Sequence, residues 1–131
     1  MSITPPFGRL LTAMVTPFKD DLSIDWSGVE KLAQHLLSTG HDGIVVNGTT
    51  GEAPTTSDEE KIEIIKVVKK AMGGKGKVVA GAGNNETSHS IEQAKMAAAA
   101  GADRRGDPAV RPRALPPHAL RTAVLRRTDA G

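Results

Sequence analysis

Cysteine is absent from the 131-residue chain, which excludes a disulfide framework, a thiolate metal site and a cysteine nucleophile. Tyrosine is absent too, and aromatic residues make up only 2% of the sequence. The basic stretches therefore lack the interleaved rings that stack on nucleic-acid bases, and no nucleic-acid partner is expected. No apolar run approaches the length that crosses a bilayer, and no secretory leader pattern is present. The expectation is a soluble, cytoplasmic protein without a membrane partner. The four histidines, His35, His41, His89 and His118, show no paired ligand spacing, so no metal site is expected. Nucleotide loops are missing as well. Gly81-Ala82-Gly83 would need a third glycine where Glu86 stands, and no Gly-Lys-Ser/Thr follows Gly48, so no cofactor is expected.

Hydrophobic residues make up 38% of the chain, enough for one core of ordinary size. Leu10 to Val15 is mostly apolar and is stopped by Thr16-Pro17, which reads as a first strand. Asp25 or Ser27 can cap a helix with Val29, Leu32, Leu36 and Leu37 on one face and Gly40 at its end; His35 falls on its surface. Ser57-Asp58-Glu59-Glu60 has the pattern of a capping box. It opens a second helix with the stripe Ile62, Ile65, Val68 and Met72, cations Lys69 and Lys70 near its end, and Gly73-Gly74 after it. Val78 to Gly83 reads as a third strand, and Thr87 or Ser88 can cap a third helix, Ile91 to Ala100, closed by Gly101. Strands alternating with helices imply a parallel sheet.

Gly43-Ile44-Val45-Val46-Asn47 is the second strand, apolar and β-branched as in sheets buried on both faces. It runs directly into Gly48-Thr49-Thr50-Gly51-Glu52, a tight turn carrying hydroxyls and backbone N–H groups at the strand's C-terminal end, where parallel α/β proteins place their chemistry. Two readings stay open: a binding turn, or an ordinary βα turn in which the glycines permit the bend and the threonines cap the backbone. Glu52 is read as an anchor accepting backbone hydrogen bonds, with a general base as the alternative. Because each βα turn emerges on the same side, Thr16, Thr49, Thr50, Asn84 and Asn85 are expected to cluster.

Charge divides the chain. Residues 1–103 hold nine lysines, one arginine and thirteen acids, net −3, whereas residues 104–131 hold seven arginines, no lysine and two acids, net +5. Half of the eight prolines also fall in the last stretch. So abrupt a change marks a boundary after Asp103.

The order Thr16-Pro17, Gly48-Thr49-Thr50-Gly51-Glu52 with Glu60 eight residues on, Gly81-Ala82-Gly83-Asn84-Asn85 and Ala100-Gly101-Ala102-Asp103 resembles the N-terminal part of the dihydrodipicolinate synthase family. The wider superfamily includes the N-acetylneuraminate lyases, and two consecutive threonines favour the synthases. The resemblance implies a (β/α)₈ barrel and a Schiff-base condensation of pyruvate with aspartate semialdehyde on the way to lysine, in a homo-oligomer. It implies that Thr49 belongs to a proton relay, that Thr50, with Gly48 beside it, binds the pyruvate carboxylate, and that Asn85 falls at a lysine-effector site. His89 stands where some members of the family carry an acid.

The resemblance ends at residue 103, and a barrel of this type needs about 250 residues. Residues 1–103 are therefore expected to form about three βα units of the barrel, with 104–131 a disordered Arg/Pro-rich tail. The open sheet is expected to leave the third strand without a neighbour and the inner face uncovered. The relay tyrosines and the Schiff-base lysine of the family fall beyond the break, and no lysine of this chain sits at a strand's C-terminal end. The chain as written is expected to be inactive. Its alternatives are another pyruvate-dependent aldolase of the superfamily and a non-enzymatic basic-tailed protein.

The tail reads as an out-of-frame stretch. Arg104-Arg105-Gly106-Asp107-Pro108 can be encoded CGG CGT GGT GAC CCC, and removing the first base gives Gly-Val-Val-Thr-Pro, close to the family's next strand. Resequencing the gene around the Asp103 codon tests this. Restoring the frame is expected to yield a strand, a Tyr-Tyr pair and, further on, a strand-borne lysine; an open frame lacking them would contradict it.

Overall fold

The computed structural model of the chain describes residues 7–105. Over that range the order is β1 (Leu11–Ala13), α1 (Trp26–Ser38), β2 (Gly43–Val46), α2 (Asp58–Met72), β3 (Lys77–Ala80), α3 (Thr87–Ala99) and β4 (Arg104–Arg105), with a short 3₁₀ turn at Ala53–Thr55. The strands form one sheet in sequence order, and every pair is parallel. Parallel neighbours need crossovers, and the three helices supply them.

Period-two alternation sorts the strands' side chains. Ile44 and Val46 of β2 and Val78 and Ala80 of β3 join one buried cluster with Val29 and Ala33 of α1, Ile64, Ile65, Val68 and Met72 of α2, and Ala97 of α3. α2 lies between the other two helices and touches both. Its capping box forms as expected, Ser57 Oγ accepting from Glu60 N at 3.1 Å and Glu60 Oε2 accepting from Ser57 N at 2.8 Å. Asp25, not Ser27, caps α1, its Oδ1 accepting from Gly28 N at 3.0 Å.

Several expectations are corrected. The ladder assigns β1 and β3 fewer residues than the apolar runs, although Met14 N still donates to Val45 O and Gly81 N to Val46 O beyond the strand ends. α3 starts at Thr87, and neither Thr87 nor Ser88 caps it; Asn84 Oδ1 accepts from Glu86 N at 3.3 Å instead. On α2, Ile64 is buried where the stripe named Ile62, which is half-buried. β3 does not lack a neighbour: Val79 and Ala80 pair with Arg104 and Arg105. Nor is the sheet's other face open at its centre, since Val45 and Val79 are 9% and 1% exposed. The tail expected to be disordered lies, beyond Arg105, outside the described residues.

At the N-terminal edge of the sheet two aspartates repeat one device. Asp42 Oδ2 accepts from Arg9 N at 2.8 Å and Leu10 N at 2.9 Å, at the start of β1. Asp103 Oδ2 accepts from Val78 N at 2.9 Å in β3 and from Lys69 Nζ at 2.6 Å, with Lys77 Nζ 3.9 Å from Oδ1. Each stands just before a strand and ties down backbone donors of the strand beside it. The N–H groups of Leu10 and then Arg9 hold the Asp42 carboxyl below its ordinary range. Burial pushes Asp103 up, but the hydrogen bonds from Lys69 and Val78 and the charges of Lys69 and Lys77 outweigh it and hold that carboxyl low.

Carboxyls depressed by folding stabilise the fold above the unfolded-chain pKa of about 4, and that contribution is lost as pH falls through their folded values. Urea midpoints are therefore expected to drop below about pH 4. Asp103→Ala is expected to cost about 1–3 kcal/mol at pH 7, because it strands the Val78 N–H and the Lys69 ammonium. The acid dependence of this variant should be shallower than the parent's; an unchanged midpoint would contradict the assignment.

Candidate functional site

The turn after β2 is built from two residues in the left-handed region, Asn47 and Glu52, each with φ 57°. The glycines between them do not supply that conformation, since neither Gly48 nor Gly51 has a positive φ. Asparagine tolerates the left-handed region because its short amide can bond locally. Here Asn47 Nδ2 donates to Lys61 O at 3.0 Å, tying the strand end to α2. That bond fixes the amide's orientation and leaves Oδ1 a buried acceptor without a partner among the described residues. Asn47 itself is only 5% exposed.

Gly81 explains why the turn lies against the end of β3. A Cβ there would stand 2.2 Å from Asn47 O and 3.2 Å from Gly48 N, far inside contact distance. Gly51 is held from the other side. The buried Thr16 hydroxyl donates to Gly51 O at 2.7 Å, and a Cβ on Gly51 would lie 3.2 Å from Met14 O. Thr16 is thus committed to supporting the turn and does not join the cavity lining, contrary to the expected cluster.

A cavity of about 540 Å³ opens over the ends of β2 and β3. Gly48, Thr49, Thr50, Asn84 and Asn85 all line it, so the four residues singled out by resemblance, Gly48, Thr49, Thr50 and Asn85, meet at one cavity. Within the turn, Gly51 N and Ala53 N donate to Gly48 O and Glu52 N to Thr49 O. The N–H groups of Gly48, Thr49 and Thr50 donate to no group among the described residues, and neither threonine hydroxyl is bonded there. Three successive free N–H groups with two hydroxyls beside them suit an oxyanion or a carboxylate.

Glu52 behaves differently from either expected reading. Its contacts in the turn are made by its backbone: Glu52 O accepts from Thr55 N and from Thr55 Oγ1, both at 2.9 Å. Among the described residues its carboxylate accepts no hydrogen bond, and Glu52 does not line the cavity. His89 Nε2 lies 3.3 Å from Asp58 Oδ2 and 3.4 Å from Gln93 Nε2, joining α3 to the first turn of α2. Among the described residues no cluster of His, Cys, Asp or Glu could hold a metal ion, and no helix is long and apolar enough to cross a membrane.

Sequence reasoning missed Asn47, Lys61, Gly81 and Gln93, all of which line the cavity. Lys61 brings an amine to within 3.6 Å of Asp58 on a side chain 16% exposed. It comes from α2 and not from a strand end, which is why strand-end spacing passed over it.

The dihydrodipicolinate synthetase family matches residues 6–112. The 4-hydroxy-tetrahydrodipicolinate synthase 2 of Streptomyces coelicolor is 55% identical over 97 residues, 74% of this chain and 32% of that protein. Among solved structures, a dihydrodipicolinate synthase of Bacillus anthracis superposes with a TM-score of 0.74 at 40% identity, covering 79% of this chain and 35% of the other. The chloride-inhibited dihydrodipicolinate synthase of Acinetobacter baumannii complexed with pyruvate gives 0.72 at 38% identity, covering 73% and 33%. The N-acetylneuraminate lyase of Mycoplasma synoviae gives 0.67 at 34% identity, also covering 73% and 33%. The chain spans about a third of the length of the curated relatives it matches.

The close approach at Gly81 is the contact on which the cavity wall depends. Gly81→Ala is expected to cost about 1–3 kcal/mol in urea unfolding, as overpacking does, and to shift the amide resonances of residues 47–50. A variant with the parent's midpoint and spectrum would contradict this.

Proposed function

The chain belongs to the dihydrodipicolinate synthetase family, and from that premise we propose that its cavity is the carboxylate-binding part of a pyruvate-dependent lyase site serving lysine biosynthesis. The observation that carries this reading is the run of N–H groups at Gly48, Thr49 and Thr50, beside two hydroxyls, that have no partner among the described residues. A carboxylate entering there replaces its water shell by preorganised donors, without reorganisation of the turn. Thr50, with Gly48 beside it, takes the carboxylate of pyruvate, and Thr49 takes the place in proton transfer that the resemblance assigns to it. Aspartate semialdehyde is the second substrate and lysine the effector at Asn85, as the resemblance assigns them.

The solved relatives are (β/α)₈ barrels, and the four parallel strands with three crossover helices correspond to part of one. The chain as given binds but does not condense. An imine requires a lysine aimed at the pyruvate carbonyl, and the described lysine that lines the cavity, Lys61, arrives from α2 with its amine beside Asp58. The family match runs on to residue 112 and Arg104–Arg105 pairs with β3, so in this proposal only residues past 112 stand as a stretch outside the barrel sequence. The lyase of Mycoplasma synoviae favours a second reading, another pyruvate-dependent aldolase, less well than the synthases do, on identity and superposition alike.

Pyruvate is expected to bind saturably by calorimetry. Thr50→Val should weaken it about tenfold, the worth of one hydrogen bond to a charged group. Borohydride added with pyruvate should leave the protein's mass unchanged. Absence of saturable binding would overturn the site, and a stoichiometric pyruvyl adduct would overturn the claim that no lysine here serves.

A further inference from the structure

The glycines around the cavity fall into two kinds. Gly51 and Gly81 are dictated by packing, because a Cβ on either would press on backbone atoms of the strands beside it. Gly48 and Gly83 are dictated by nothing among the described residues. Neither has a φ in the left-handed range, and a Cβ built on either meets no atom within 4 Å. Yet both line the cavity, Gly48 from the end of β2 and Gly83 from the end of β3.

Glycine carries a cost where its freedom is not used, since it loses more backbone entropy on folding than alanine does. A position with open space and ordinary backbone geometry would gain stability from a side chain. The close approach of a ligand is a reason for a bare backbone at such a position. Gly48 is also the first of the three residues whose N–H groups have no partner among the described residues, so a methyl on it would stand beside those donors. Gly83 lines the same cavity, followed directly by Asn84 and Asn85, which line it too.

We propose that Gly48 and Gly83 are specificity-determining residues: the missing side chain of Gly48 lets a small 2-oxo acid reach the N–H groups of the 48–50 turn, and that of Gly83 leaves room for the chain it carries beyond its carbonyl. This rests on the carboxylate reading of the cavity. Added methyls at these positions leave the fold intact, whereas the same change at Gly81 does not.

The test uses the full chain and two probes, pyruvate and 2-oxobutanoate, with affinity by calorimetry and stability by urea unfolding. Gly48→Ala and Gly83→Ala should keep or raise the urea midpoint. Gly48→Ala should weaken pyruvate at least tenfold, and Gly83→Ala should weaken 2-oxobutanoate more than pyruvate. If the parent binds neither acid, the carboxylate reading fails and this inference with it. If the parent binds and both variants bind like it, this inference alone is overturned. A variant whose midpoint falls by as much as that of Gly81→Ala would also overturn it, by showing that the backbone, not the ligand, requires the glycine.

Discussion

The contact between Gly81 and the backbone of Asn47 is the constraint on which the rest of the site depends. Gly81 N donates to Val46 O at 2.8 Å, extending the β2–β3 ladder one step past the strands. The missing Cβ then lets the carbonyl of Asn47 lie where any other residue would exclude it. With the two strand ends held so close, the chain after Val46 must turn sharply. It does so through the left-handed Asn47, whose amide is secured to α2. That turn leaves three N–H groups of cavity-lining residues without partners among the described residues, an arrangement that water or a ligand can complete.

The two edges of the sheet therefore do different work. At the N-terminal edge Asp42 and Asp103 satisfy the donors that begin β1 and β3, and their carboxyls are stabilised in the ionised form. At the C-terminal edge the donors of the 48–50 turn have no partner among the described residues. Satisfied polar groups stabilise and unsatisfied ones bind, so the chain places its local stability away from its chemistry. The 3₁₀ turn at Ala53–Thr55, which follows the free donors, returns the chain to the capping box of α2 without using those donors.

Features that rest on near neighbours were legible in the sequence. The capping box of α2 needs only Ser57 and Glu60, and the Asp25 cap needs only the residues that follow it. Thr49 and Thr50 could be placed at a strand end because the apolar run and the turn adjoin. Features that rest on distant partners were not legible. Arginines carry no strand pattern, and Arg104–Arg105 becomes β4 because Val79 and Ala80 offer it a ladder. Lys61 and Gln93 reach the cavity from α2 and α3, and the rotation of a helix over a sheet is not written in its own residues. The role of Gly81 depends on Asn47, far away in sequence, and the burial of Ile64 on how broadly α2 contacts its neighbours.

A crystal structure of the chain with pyruvate tests the central claim most directly. The account requires a carboxylate oxygen within hydrogen-bonding distance, about 2.7–3.2 Å, of the backbone nitrogens in the Gly48–Thr50 run, with the Thr50 hydroxyl on the same group. Pyruvate seated elsewhere in the cavity, with those three N–H groups bonded only to water, would contradict it.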